Sequence, residues 1–106
     1  MTIKTLKQTD AFRLWEASLK DRRIKTIIGT RLLRLKDGLP GDVRPVGGGL
    51  SELRIHYGPG YRIYFQQRDE VIILLLCGGN KSTQSRDIRL AQMLARAMIE
   101  GEDEED

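Results

Sequence analysis

The spacing of apolar residues changes along the chain, and each change announces a new element. "TIKTL" at 2–6 reads as a short strand. Phe12, Trp15 and Leu19 then recur at three and four residues, with Thr9 or Asp10 placed to cap a helix. A second helical stripe carries Ile24, Ile27, Ile28, Leu32 and Leu35 behind the cap Asp21. Gly38 suits the C′ position of that helix, and Pro40 cannot continue it. So short a connection between the two predicts an antiparallel helical hairpin. Arg13, Arg22, Arg23, Arg31 and Arg34 fall on its outer face and read as solvent-exposed.

"DGLPGDVRPVGGG" at 37–49 reads as one long loop, a flexible lead into a sheet. From residue 50 the period becomes two. Leu53, Ile55 and Tyr57 alternate with Glu52, Arg54 and His56 before "GPG"; Tyr61, Ile63 and Phe65 alternate with Arg62, Tyr64 and Gln66 after it. "VIILLLC" at 71–77 is apolar throughout, as in a strand covered on both faces or central in its sheet. A last helix has Ile88, Ala91, Leu94, Ala95 and Met98 on its inner stripe. The expected fold is α+β in the order β-α-α-β-β-β-α, an antiparallel-rich sheet with the helical hairpin on one face. Residues 1–99 form the single domain and 100–106 an acidic tail predicted to be disordered.

Composition narrows the picture. With 40% hydrophobic and 31% charged residues the chain has the make-up of a soluble globular domain. The longest apolar run is far short of the ~20 residues a spanning helix needs, and the charged start lacks a signal-peptide core, so a cytoplasmic protein with no membrane contact is expected. A single cysteine, Cys77, excludes an internal disulfide, and with one histidine no zinc site is expected. The formal charge is +3, but "EDEED" at 102–106 holds five of the 15 acidic residues. Without it 18 basic residues face ten acidic ones, a balance of +8. That balance suits a polyanionic partner as well as an ordinary solvated surface.

The hairpin "RIHYGPGYRIYF" at 54–65 concentrates the candidate chemistry. With Gly58-Pro59-Gly60 as the loop, Tyr57 opposes Tyr61, His56 opposes Arg62, Ile55 opposes Ile63 and Arg54 opposes Tyr64. Arg54, His56, Arg62 and Tyr64 then share one patch, with opposed Cβ atoms ~5 Å apart. Such cations repel unless an anion lies between them, and Glu52 is on the same face. Two readings fit: a solvated sheet face with cross-strand pairs, or a phosphate-binding, RNA-cleaving surface. In the second, arginine forks grip phosphate oxygens, Tyr57 and Tyr64 stack on a base or bond a phosphate, and His56 transfers protons.

"CGGNKSTQ" at 77–84 leads from the buried strand to a helix N-terminus. Lys81, Ser82 and Thr83 there favour an anion. It is not a P-loop, since Asn80 replaces the glycine before the lysine. Equally, Ser82 or Thr83 caps the helix while the glycines turn the chain.

"LRIHYGPGYRIYF" followed by "VIILLLCGGNKSTQSRDI", together with "PGDVRPVGGGLSELR", resembles the RelE/ParE superfamily of toxins from type II toxin–antitoxin systems. The likeness spans nearly the whole chain and is strongest to the HigB-like, phage-derived addiction-module killer proteins. It implies a RelE-like fold and an antitoxin partner, of helix-turn-helix type and encoded adjacently. It also implies a metal-independent, cofactor-free, ribosome-dependent endoribonuclease acting on mRNA. By the same resemblance Arg62 stabilises the scissile phosphate, Arg54 and Lys81 assist, and His56 or Tyr64 moves protons. Residues 78–106 hold no tyrosine or histidine, where relatives often place one, so that role is either empty or passes to His56, Tyr64 or Asp87. ParE-like members implicate DNA gyrase inhibition instead, and a degenerate toxin would only bind its antitoxin.

Overall fold

The computed structural model describes residues 3–101, with side chains through residue 98. The elements are β1 (Thr5–Gln8), α1 (Asp10–Ser18), α2 (Arg22–Lys36), β2 (Val43–Gly47), β3 (Leu50–Ile55), β4 (Tyr61–Gln67), β5 (Ile72–Asn80) and α3 (Gln84–Gly101). A short 3-10 turn, Lys81–Thr83, joins β5 to α3. The segment 102–106 of the acidic tail lies outside the described residues, and α3 continues to Gly101.

The five strands lie in the order β1-β5-β4-β3-β2. β1 runs parallel to β5, and the other three pairings are antiparallel, so the sheet is mixed. Helix caps follow the local chemistry. Thr9 accepts the Phe12 N–H at the start of α1, and Asp21 accepts the Arg23 N–H at the start of α2. α2 stops in a Schellman turn: Gly38 N–H reaches Leu35 O at 3.1 Å and Leu39 N–H reaches Arg34 O at 2.8 Å, with Gly38 at φ 82°.

Both faces of the sheet are covered. Phe12, Ile24, Ile28, Leu32 and Leu35 of the helical hairpin pack on Leu53, Ile55, Ile63, Phe65, Ile73 and Leu75. On the opposite face Ala91 and Ala95 of α3 meet Leu50, Tyr64, Leu74, Leu76 and Cys77. The unbroken apolar run of β5 follows from this, since each side of the strand meets a different helical layer. Among the described residues no helix is long and apolar enough to cross a membrane.

The expected element order needs one correction. The 37–49 loop contains β2, which pairs antiparallel with β3 and adds a strand. Its Pro45 is tolerated because β2 is an edge strand. Gly47, Gly48 and Gly49 make the tight reversal into β3, all at positive φ (93°, 63° and 76°). They are a hairpin turn, not a flexible lead. The "GG" before Asn80 does not turn the chain either, because Gly78 and Gly79 lie within β5.

Candidate functional site

The β3–β4 register differs from the expected one by two residues. Arg54 pairs with Arg62, Glu52 with Tyr64, Leu53 with Ile63 and Ile55 with Tyr61. β3 ends at Ile55, and residues 56–60 form a five-residue loop. Tyr57 lies outside the ladder, its hydroxyl donating to Asp21 Oδ2 at 2.9 Å at the start of α2. A shift by two keeps every side chain on its face, so Arg54, Arg62 and Tyr64 remain together while His56 moves into the loop.

The face is a lattice of charged and polar side chains. Across it Arg44 pairs with Glu52, which pairs with Tyr64, and in the next row Arg54 pairs with Arg62. Asp42 completes that row, its carbonyl accepting the Arg54 N–H at 2.9 Å. Two carboxylates hold the cations. Glu52, only 2% exposed, accepts Arg62 Nη1 at 2.7 Å, Gln84 Nε2 at 2.8 Å and the Tyr64 hydroxyl at 3.1 Å. Asp42 accepts Arg54 Nη2 at 3.1 Å on one oxygen and meets His56 Nε2 at 2.6 Å with the other. The His56 imidazole, and then Arg54, hold the Asp42 carboxyl below the usual carboxylate range.

Exposure separates the members. The Arg62 side chain is 11% exposed, Arg54 21% and His56 72%. Tyr64 is fully buried, so its ring presents no surface to a base. Burial, and after it the neighbouring Glu52 charge, push its phenol well above the ordinary tyrosine range. Tyr57 is tied to Asp21, and that hydrogen bond raises its phenol too.

The turn into α3 supplies the remaining cations. Lys81 is exposed, and a Cβ built on Gly60 would lie 3.4 Å from the Lys81 Cβ, so the end of the 56–60 loop passes close to the lysine stem. Lys81, Arg86 and Arg89 border a shallow depression of about 340 Å³ at the first turn of the helix. Asn80 is the cap: its Oδ1 accepts the Ser82 N–H at 2.9 Å and the Ser82 hydroxyl at 2.6 Å. Thr83 Oγ1 accepts the Asn80 N–H at 3.1 Å, closing a capping box. Ser82 and Thr83 thus shape the turn with hydroxyls already engaged.

The paired glycines make close packing possible. A Cβ on Gly78 would overlap the Trp15 ring on one face, and a Cβ on Gly79 the Asp87 carboxylate on the other. Asp87 is 4% exposed, accepts the Thr83 hydroxyl, and lies 3.7 Å from Arg86 Nε. Cys77 is buried beside it, its thiol pushed up to about 12 by burial and by Asp87. Among the described residues no group of His, Cys, Asp and Glu could hold a metal ion.

Sequence reasoning left out Arg44, Asp42 and Gln84. Arg44 and Asp42 sit in the segment read as loop, 10 and 12 residues before Arg54, and only the pairing of β2 brings them to the face. Arg31, expected on the solvent side, instead donates to the Arg54 carbonyl at 2.8 Å and to those of Pro40 and Asp42 at 3.3 and 3.4 Å. It fastens the 40–42 segment to α2.

No family model matches the chain. A chain of the crystal structure of the toxin–antitoxin complex RelBE2 from Mycobacterium tuberculosis superposes with a TM-score of 0.60 at 18% identity, over 76% of this chain and 100% of that one. The fold is therefore RelE-like. An uncharacterized protein of Haemophilus influenzae is 45% identical over 98 residues, 92% of this chain and 98% of its own length. At that identity and coverage this chain belongs to the same family as the Haemophilus influenzae protein, on a RelE-like fold.

Proposed function

We propose that the protein is the toxin of a toxin–antitoxin module of the HigB-like branch, acting as a metal-independent, ribosome-dependent endoribonuclease on mRNA in the cytoplasm, with a helix-turn-helix antitoxin as partner. The observation that carries this reading is an exposed histidine beside Arg54, with Lys81 against its loop, on a fold shared with a chain of a toxin–antitoxin complex. In the reaction the ribose 2′-hydroxyl loses its proton to a base and O2′ attacks the adjacent phosphorus. The P–O5′ bond breaks, O5′ takes up a proton, and a 2′,3′-cyclic phosphate and a 5′-hydroxyl remain. Arg54, Arg62 and Lys81 supply positive charge to the phosphorane-like transition state, and His56 moves the protons. Inducible expression with sequencing of RNA 5′ ends tests this. New ends within translated codons are expected, and they should vanish with His56→Ala and weaken with Lys81→Ala, both substitutions at exposed sites. Arrested growth with full-length transcripts refutes it.

One observation favours a second reading. Arg62 and Arg54 are already paired, with Glu52 and Asp42, as suits a face that binds a protein rather than a phosphate. A ParE-like, non-catalytic inhibitor of DNA gyrase then produces double-strand breaks on expression and slows purified gyrase, with RNA intact.

A further inference from the structure

His56 is the only histidine of the chain, and its ring is held at one edge and open at the other. Its Nε2 lies 2.6 Å from Asp42 Oδ2. A carboxylate held below its usual range is ionised at neutral pH and can only accept, so Nε2 carries the hydrogen. In the neutral ring Nδ1 is then the nitrogen with the free lone pair.

The carboxylate is itself immobilised. Its other oxygen, Oδ1, receives Arg54 Nε at 3.3 Å and Nη2 at 3.1 Å. Its backbone carbonyl receives the Arg54 N–H at 2.9 Å and Arg31 Nη2 at 3.4 Å. Arg54 on β3 and Arg31 on α2 are the cations packed around Asp42 beside His56; His56 and then Arg54 hold its carboxyl in the ionised form, and Arg31 anchors its backbone. Among the described residues Asp42 is the one carboxylate in ion-pair contact with His56.

Resting on the ribonuclease reading, we infer that Asp42 is the positioning residue for His56: by taking the Nε2–H it presents Nδ1 to the RNA as the proton-exchanging atom. When Nδ1 accepts the 2′-hydroxyl proton the ring becomes an imidazolium, with both nitrogens donors, one still on Asp42. The pair then hands that proton on to O5′, or to water, and returns to its starting form. Arg54 acts twice: one edge of its guanidinium fixes Asp42, and its net charge faces the phosphate.

The test compares wild type, Asp42→Ala, His56→Ala and the double variant in a translating-ribosome cleavage assay, with ¹⁵N NMR of the lone histidine. Asp42→Ala is expected to lower kcat by about 10- to 1,000-fold with KM little changed, within what general acid–base catalysis supplies. The double variant should be no slower than His56→Ala, because the positioning role of Asp42 passes through the ring. The wild-type spectrum should show the Nε2–H tautomer, and Asp42→Ala a mixture. If Asp42→Ala does not fold, Asp42→Asn keeps an oxygen for Arg54 and carries the same comparison. Wild-type cleavage with an Nδ1–H tautomer, or with an equal loss from Asp42→Ala in the His56→Ala background, overturns the positioning role alone. No cleavage by the wild-type chain overturns the ribonuclease reading and, with it, any catalytic use of the pair.

Discussion

Glu52 and Arg62 show what burial does to an ion pair. The Glu52 side chain is 2% exposed and that of Arg62 11%, and the Tyr64 hydroxyl and Gln84 amide both donate to the other carboxylate oxygen of Glu52. Removing one partner strands the other without water, a loss that runs to about 3–5 kcal/mol in domains whose whole stability is on the order of 5–15 kcal/mol. Arg62→Ala should therefore shift the urea midpoint strongly downward, whatever it does to RNA. Arg62→Met combined with Glu52→Gln should recover much of that loss, since no charge is left buried. A functional survey that truncates Arg62 alone would confuse unfolding with lost chemistry. His56 and Lys81 are the cleaner probes because both are exposed.

At the scale of elements, β5 is pinched between two layers. Its Gly78 meets Trp15 of α1 and its Gly79 meets Asp87 of α3. Gly79→Ala should cost about 1–3 kcal/mol or more, the usual range for forcing atoms into a filled core. Gly29 in α2 has nothing near the place a Cβ would occupy, so Gly29→Ala should stabilise the helix by about 0.5–1 kcal/mol. Thermal melts should move in opposite directions, by about 4–8 °C per kcal/mol in a domain of this size. How far such elements can be read from sequence depends on where their determinants lie. The α1 and α2 stripes and caps are local, so Thr9, Asp21 and Gly38 announce them. The two faces of the β3–β4 hairpin are legible from alternation alone. Its pairing is not, because Tyr57 sits outside the ladder against Asp21, 36 residues before it. β2 is hidden by Pro45 and three glycines, and with it the carboxylate beside His56. The partners of the candidate site are thus the least legible part, being supplied by a strand that has no clear period.

For the whole molecule, two carboxylates tie the β3–β4 loop region to its surroundings. Asp21, the cap of α2, accepts the Tyr57 hydroxyl, and Asp42 before β2 meets His56 and Arg54. Hydrogen bonds depress both, Asp21 chiefly through Tyr57 and Asp42 chiefly through His56. A carboxyl whose folded pKa lies below its unfolded value contributes stability that is present above about pH 4 and lost as the pH falls through the folded pKa. Unfolding monitored from about pH 6 down to pH 2 should show wild type losing its advantage over Asp42→Asn on the acid side, and over Tyr57→Phe in the same window. A constant difference across that range would contradict the assignment.

The parallel pairing of β1 with β5 has a consequence in time. Thr5 aligns with Ile72 and Gln8 with Leu75, so β1 has no partner until residues 72–75 have been made. The Gln84 bond to Glu52 joins later still. Contacts of such long sequence separation are slow to form and come after local ones. Synthesis from the N-terminus thus leaves the helical hairpin and the β2–β3–β4 meander waiting on β5 and α3. The basic face is finished only when the last helix arrives to lock its buried carboxylate.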